Sequence, residues 1–169
     1  MKSNILDGKL VAKSIETNVR NRVLEYEENY NDNITLATII IGNNKASKTY
    51  IKMKLKACQR VGIQTREYYL PEFTTEGLIS LIQMLNEDSE INGILLQHPL
   101  PKNIDEQKCF DTISPLKDVD GLNSHSFGKM SFKETDFGAA TPTGIINILD
   151  FYNIKLEDKK PVLLEEVKF

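Results

Sequence analysis

Residues 34–70 read ITLATIII, GNN, KASKTYIKMKLKACQRV, G, IQTREYYL, and the alternation within this stretch decides the fold class. Ile34 to Ile41 is a short β-branched run closed by Gly42, the pattern of a strand buried on both faces. Lys45 to Val61 is long enough for a helix, and Gly62 stands where a left-handed C′ residue belongs. Ile63 to Leu70 is a second strand closed by Pro71. Toward the N-terminus, Leu10, Val11, Ile15, Val19, Val23 and Tyr26 recur at helical spacing after Asp7, an expected N-cap. Toward the C-terminus, Thr74 or Thr75 caps a helix carrying Leu78, Ile79, Ile82 and Leu85. Asn92 to Gln97 forms another buried strand, stopped by Pro99 and Pro101. Thr141-Pro142 opens a last helix, with Thr as N-cap and Pro in the first turn, carrying Ile145, Ile146, Ile148 and Leu149. The expected architecture is α/β: three layers, with a mainly parallel sheet covered by helices on both faces.

Composition narrows the function classes. The 169 residues carry a formal net charge of -3, which gives no reason to expect nucleic-acid or membrane binding. No apolar run approaches the roughly 20 residues needed to span a bilayer. Cys58 and Cys109 are too few for a disulfide scaffold, and with no signal peptide they imply reduced thiols and a cytoplasmic protein. His98 and His125 lack a matching ligand set for a metal. Neither a P-loop, a G-x-S-x-G elbow nor a G-x-G-x-x-G loop occurs.

Three segments concentrate polar groups where a ligand could use them. On the helix at 45–61, steps of roughly 100° per residue gather Lys45, Lys48, Lys52 and Lys56 on one stripe. This is either a solvated face or a steering patch for an anionic substrate. The opposite stripe collects Tyr50, Ile51, Ala57, Cys58 and Val61, with Lys54 near its centre. Lys54 either snorkels out over the core edge or sits partly desolvated, and desolvation is how a lysine becomes a usable base. Tyr50 lies one turn earlier and can line the same cleft. In GILLQHPLP, residues 93–101, a buried strand ends in Gln97 at the edge where open α/β sheets bind ligands. Such an amide can orient a lysine, contact a heteroaromatic ring, or merely satisfy loop backbone. In PLKDVDGLN, residues 115–123, Asp118 and Asp120 precede Gly121. They suit an ordinary turn or an aimed carboxylate, for which a ring with adjacent N–H donors, such as a pterin, is a natural partner.

Taken together, Y-x-x-x-K at Tyr50–Lys54, GILLQHPLP, PLKDVDGLN and ATPTG at Ala140–Gly144 resemble the bifunctional methylenetetrahydrofolate dehydrogenase/methenyltetrahydrofolate cyclohydrolase family. The motifs stand in that family's order over about Ile5 to Leu156. The resemblance implies that Lys54 is the catalytic lysine, that Gln97 orients its amine, that Tyr50 packs on the aminobenzoyl part of a folate and that Asp120 anchors the pterin. Asp118 is expected to be structural. The implied reactions are NADP-dependent oxidation of 5,10-methylene- to 5,10-methenyltetrahydrofolate and hydrolysis to 10-formyltetrahydrofolate. One departure is that Ala139 and Ala140 stand where the family often has Pro-Cys, which excludes a thiol role there.

The resemblance also implies a Rossmann-type NADP domain after the folate-binding one, and a homodimer whose contact that domain usually makes. Residues 1–158 are expected to form the folate-binding domain, and residues 159–169 an aberrant or truncated start of the next. In AT-rich codons, Leu163 to Phe169 read two bases later gives Ile-Gly-Arg-Ser-Lys-Ile, a phosphate-loop motif. A frame lost near Lys159-Lys160 would explain the tail. The expected outcome is a chain without dehydrogenase activity and with weak cyclohydrolase activity, and dimerisation is left open. The alternative is a non-catalytic folate-binding remnant or an inactive product.

Overall fold

The computed structural model describes residues 5–42, 45–132 and 138–157. The tail and the expected domain boundary at 158–159 lie outside them, as do the side chains of Lys45 and Lys48. In chain order the elements are α1 (Gly8–Tyr30), β1 (Thr35–Ile41), α2 (Lys45–Val61), β2 (Gln64–Leu70), α3 (Thr75–Glu87), β3 (Gly93–Leu96), α4 (Glu106–Thr112), α5 (Ser124–Ser131) and α6 (Ala140–Phe151). The strands form one parallel sheet in the order β2-β1-β3. Each parallel pair needs a crossover, and α2 supplies the one from β1 to β2.

Alternation along β1 splits the core between two faces. Ala37, Ile39 and Ile41 pack with Leu78, Ile82 and Leu85 of α3 and with Cys109 and Phe110 of α4. Ile40 points the other way, packing with Ile51 of α2 and Leu95 of β3. Helices therefore cover both faces, as expected. Ile39, Leu78, Ile82, Leu85 and Ile94 are all but fully buried, and burial of each such side chain stabilises by about 1.5–3 kcal/mol.

Local chemistry sets the element ends. Asp7 caps α1, its carboxylate accepting from the Lys9 and Leu10 amides, and Thr74 caps α3 through the Gly77 amide. Gly62 follows α2 with φ of 91°. Lys117 Nζ donates to the carbonyls of Leu85 and Asp88 at 3.0 and 2.8 Å, closing the end of α3.

One expectation needs correction. Thr141 is not the N-cap of α6: the helix opens at Ala140, and its N-cap residue Ala139 makes no side-chain capping bond. Pro142 sits inside the first turn, where its missing N–H costs nothing. On α6, Ile145 and Ile146 are 43% and 46% exposed. The short helices α4 and α5 were not anticipated.

Candidate functional site

The site is assembled from one helix, one strand end and one loop. On α2, Ile51 and Val61 enter the core while Tyr50, 56% exposed, stands clear of it. Lys54, one turn further on, is neither snorkelling freely nor sealed in the core. Its ammonium lies 5.0 Å from the centre of the Tyr50 ring and 3.4 Å from Asp120 Oδ2. An ammonium over a tyrosine face is attracted by the ring's quadrupole, and the carboxylate supplies its counter-charge. Both partners of the ion pair keep 26% side-chain exposure, so a ligand can reach either one.

Asp120 is aimed by the loop around it. Asp118, 2% exposed, accepts hydrogen bonds from the amides of Gly121 and Asn123 at 3.0 Å each, and from Leu122 at 3.4 Å. Asp118 is thus committed to the backbone, which leaves Asp120 as the carboxylate of the pair that lines the cavity. Gly121 takes φ of 66°, a conformation costly for other residues, and so turns the chain directly after Asp120. The loop also rides on the sheet. Ile94 donates to the Lys117 carbonyl at 2.7 Å, and Ile94 bridges Asp118 in parallel register. Gly93 permits this approach, because a Cβ there would stand 2.6 Å from Val119 Cγ1.

Asn123, which the sequence reading left without a role, locks the far end of the loop. Its side-chain amide reaches the carbonyls of Phe110, Asp111 and Ile113, while its oxygen accepts from His125 and caps α5. An asparagine directly before a short polar helix was the available signal, weak because Asn also favours plain turns.

Gln97 follows β3, its backbone amide donating to the Ile39 carbonyl at 2.9 Å. The expected bond from Gln97 to the Lys54 amine is not formed, and Asp120 holds that amine instead. The Gln97 side-chain nitrogen donates to the His98 carbonyl at 2.5 Å. Its Oε1 is buried and has no hydrogen-bond partner among the described residues. A buried acceptor without a donor costs about 1–3 kcal/mol, so this oxygen is prepared for one.

Tyr50, Lys54, Gln97 and Asp120 line one cavity of about 580 Å³, together with His98, Leu122 and the Ala139–Pro142 stretch. That volume lies in the range of small-molecule sites. On the same helix as Lys54, burial pushes the Cys58 thiol above its ordinary value, while a backbone hydrogen bond and the Lys54 charge pull the other way. The net effect keeps it protonated and poorly nucleophilic. Among the described residues no group of three His, Cys, Asp or Glu side chains could hold a metal ion, and no helix is long and apolar enough to cross a membrane.

Residues 6–120 match the family described as tetrahydrofolate dehydrogenase/cyclohydrolase, catalytic domain. The chain belongs to this family. Tyr50, Lys54, Gln97 and Asp120 fall within the matched segment of the tetrahydrofolate dehydrogenase/cyclohydrolase domain, whereas Leu122 and the 139–142 stretch lie beyond it. The bifunctional protein FolD of Acidobacterium capsulatum is 47% identical over 166 residues, covering 97% of this chain and 59% of the relative. FolD 1 of Colwellia psychrerythraea is 48% identical with the same coverage. The crystal structure of the Campylobacter jejuni FolD methylenetetrahydrofolate dehydrogenase/cyclohydrolase superposes with a TM-score of 0.86 at 35% identity, covering 90% of this chain and 55% of that one. The Trypanosoma brucei FolD, solved with NADP cofactor and an inhibitor, superposes equally well at 30% identity over 92% of this chain and 54% of that one. The chain therefore spans less than three-fifths of the relatives it matches.

Proposed function

We propose that this chain binds tetrahydrofolate derivatives in the Lys54 cavity and carries the folate-side chemistry of the family: exchange at the carbon bridging the two folate nitrogens. The observation that carries the proposal is the Lys54 ammonium held between the Tyr50 ring and Asp120, in a cavity that Gln97 also lines. Asp120 takes the N–H donors of the pterin. Those donors compete with the ammonium for the carboxylate and release the amine toward the bridging carbon. Tyr50 packs on the aminobenzoyl ring, for which an exposed aromatic beside the cavity is suited. In hydrolysis of 5,10-methenyltetrahydrofolate, the freed Lys54 ammonium first gives a proton to solvent; the water oxygen then bonds to the methenyl carbon and the neutral amine takes one water proton. The C–N5 bond opens with its electron pair and the remaining hydroxyl proton passing to N5, which leaves 10-formyltetrahydrofolate, and Lys54 returns its proton to solvent. Gln97 Oε1 accepts a hydrogen bond from the amine or the adding water and fixes its direction.

Oxidation of 5,10-methylenetetrahydrofolate calls for NADP, which supplies a hydride acceptor when bound. The residues here do not fit it. The sequence has no G-x-G-x-x-G loop, and among the described residues no glycine-rich strand-to-helix turn offers phosphates a backbone cradle. No hydride step is derived from these residues. The 169-residue chain alone is proposed to lack dehydrogenase activity and to hydrolyse methenyltetrahydrofolate weakly, because an open cleft excludes water poorly.

Titration calorimetry with methenyltetrahydrofolate tests the proposal. Asp120→Ala should abolish measurable binding, whereas Lys54→Met should bind and lose turnover. Binding by the unaltered chain without any turnover selects a non-catalytic folate binder. No binding by a demonstrably folded chain, or normal NADP reduction with methylenetetrahydrofolate, refutes the proposal.

A further inference from the structure

Gln97 lines the cavity, and the orientation of its amide has a cause outside the cavity. The His98 carbonyl is an acceptor only, so the Gln97 amide must turn its NH₂ toward it and leave Oε1 on the other side. The amide's orientation thus depends on where the His98 peptide is held. That peptide begins the segment His98-Pro99-Leu100, and one carboxylate oxygen clamps the segment at both ends. Glu106 Oε1 accepts from the Leu100 amide at 2.9 Å and lies 2.8 Å from His98 Nδ1. Glu106 is itself fixed as the first residue of α4, behind the N-cap Asp105, whose carboxylate accepts from the Lys108 amide at 3.1 Å and whose own amide donates to Thr75 Oγ1 at 3.0 Å. The start of α4 and the Gln97 amide are therefore linked through hydrogen bonds to the two ends of His98 and to Leu100.

We propose that Glu106 is a positioning residue: by clamping His98 and Leu100 it fixes the His98 carbonyl and so holds the Gln97 amide, in the wall of the folate cavity, in one of its two orientations. The proposal rests on the folate reading for its ligand, but its geometry stands independently. Without the clamp, the His98 carbonyl can move off the Gln97 nitrogen. The amide then samples both flips, and the cavity wall loses its single arrangement of donor and acceptor.

The test combines side-chain amide NMR with ligand titration on the full chain. In the unaltered protein the two Gln97 amide protons should be dispersed from the free-glutamine position. In Glu106→Ala they should collapse toward it, and methenyltetrahydrofolate affinity should fall about five- to tenfold, the worth of one hydrogen bond. Glu106→Gln should restore both readouts, since its amide oxygen still accepts from Leu100 N–H and its NH₂ can donate to His98 Nδ1. A purely structural role for Glu106 would lower the melting temperature without collapsing the Gln97 pair. If Glu106→Ala does not fold, Glu106→Asp, one methylene too short to clamp both partners, carries the same test. Dispersed Gln97 protons and unchanged affinity in the folded variant overturn the proposal. A chain that binds no methenyltetrahydrofolate at all overturns the folate reading instead, and the Gln97 resonances still report on Glu106.

Discussion

Replacing Gly93 by alanine should displace the loop that carries Asp120. The added Cβ would lie 2.6 Å from Val119 Cγ1 and 3.3 Å from Leu36 Cδ1. Carbon atoms in contact sit at about 3.5–4.0 Å, so Val119 must retreat by roughly 1 Å. A methyl on a β-branched side chain, stiff at χ1, cannot do this alone, and the 117–120 backbone moves with it. Overpacking of this kind costs about 2 kcal/mol, from which about 0.5–1 kcal/mol is recovered because alanine suits a strand better than glycine. A net loss of about 1–1.5 kcal/mol lowers the melting temperature of a chain this size by roughly 2–6 °C. The site should suffer more than the stability. The Lys54–Asp120 distance is already 3.4 Å, so a further shift of the loop breaks that contact. Thermal unfolding and calorimetric titration with methenyltetrahydrofolate measure the two effects, and Val119→Ala should rescue both in the Gly93→Ala background. If Gly93→Ala melts and binds like the parent, or Val119→Ala rescues neither, the loop is not held against the sheet at this contact.

Two further outcomes follow from the same loop and its neighbour α5. Asp118→Ala leaves three backbone donors without their acceptor, so it should destabilise by on the order of 3 kcal/mol in urea unfolding and weaken folate binding through Asp120; a loss under 1 kcal/mol contradicts the assignment. The Ser124 amide, then its hydroxyl and Gln107, hold the Asp111 carboxyl below its ordinary value of 3.8. A lowered value gives stability that is present above the unfolded-state value and lost as pH falls through the folded one. The melting-temperature gap between the parent and Asp111→Asn should therefore be widest near neutrality and close toward pH 3, and a gap independent of pH would count against the Ser124 contact.

How far the sequence could be read depended on the range of the interaction. The limits of α2 were legible because Gly42 and Gly62 bracket a long periodic run, and β1, β2 and β3 were displaced by about one residue at their ends. α4 and α5 were missed because one or two turns give periodicity too little room, and their caps, Asp105 and Asn123, also favour turns. The candidate residues were legible only through four motifs taken jointly. Spacing put Tyr50 beside Lys54, but nothing local in the sequence brings Asp120 to Lys54. That contact depends on β3 lying next to β1 and on Gly93 letting the loop close over it. The same distance dependence explains why the Lys54 amine meets Asp120 here: a lysine seeks the nearest full charge, and the tertiary fold supplied one.

The unpaired Gln97 oxygen has an evolutionary consequence. With no ligand to bind, a leucine of similar size at position 97 would remove a buried polar atom that lacks a partner, and the folded chain would gain stability. Selection for folding alone therefore works against this amide, while selection for binding maintains it. In a lineage whose copy of this domain had been released from its ligand, position 97 should drift to an apolar side chain earlier than Lys54 or Asp120, which stabilise each other even in an empty cavity.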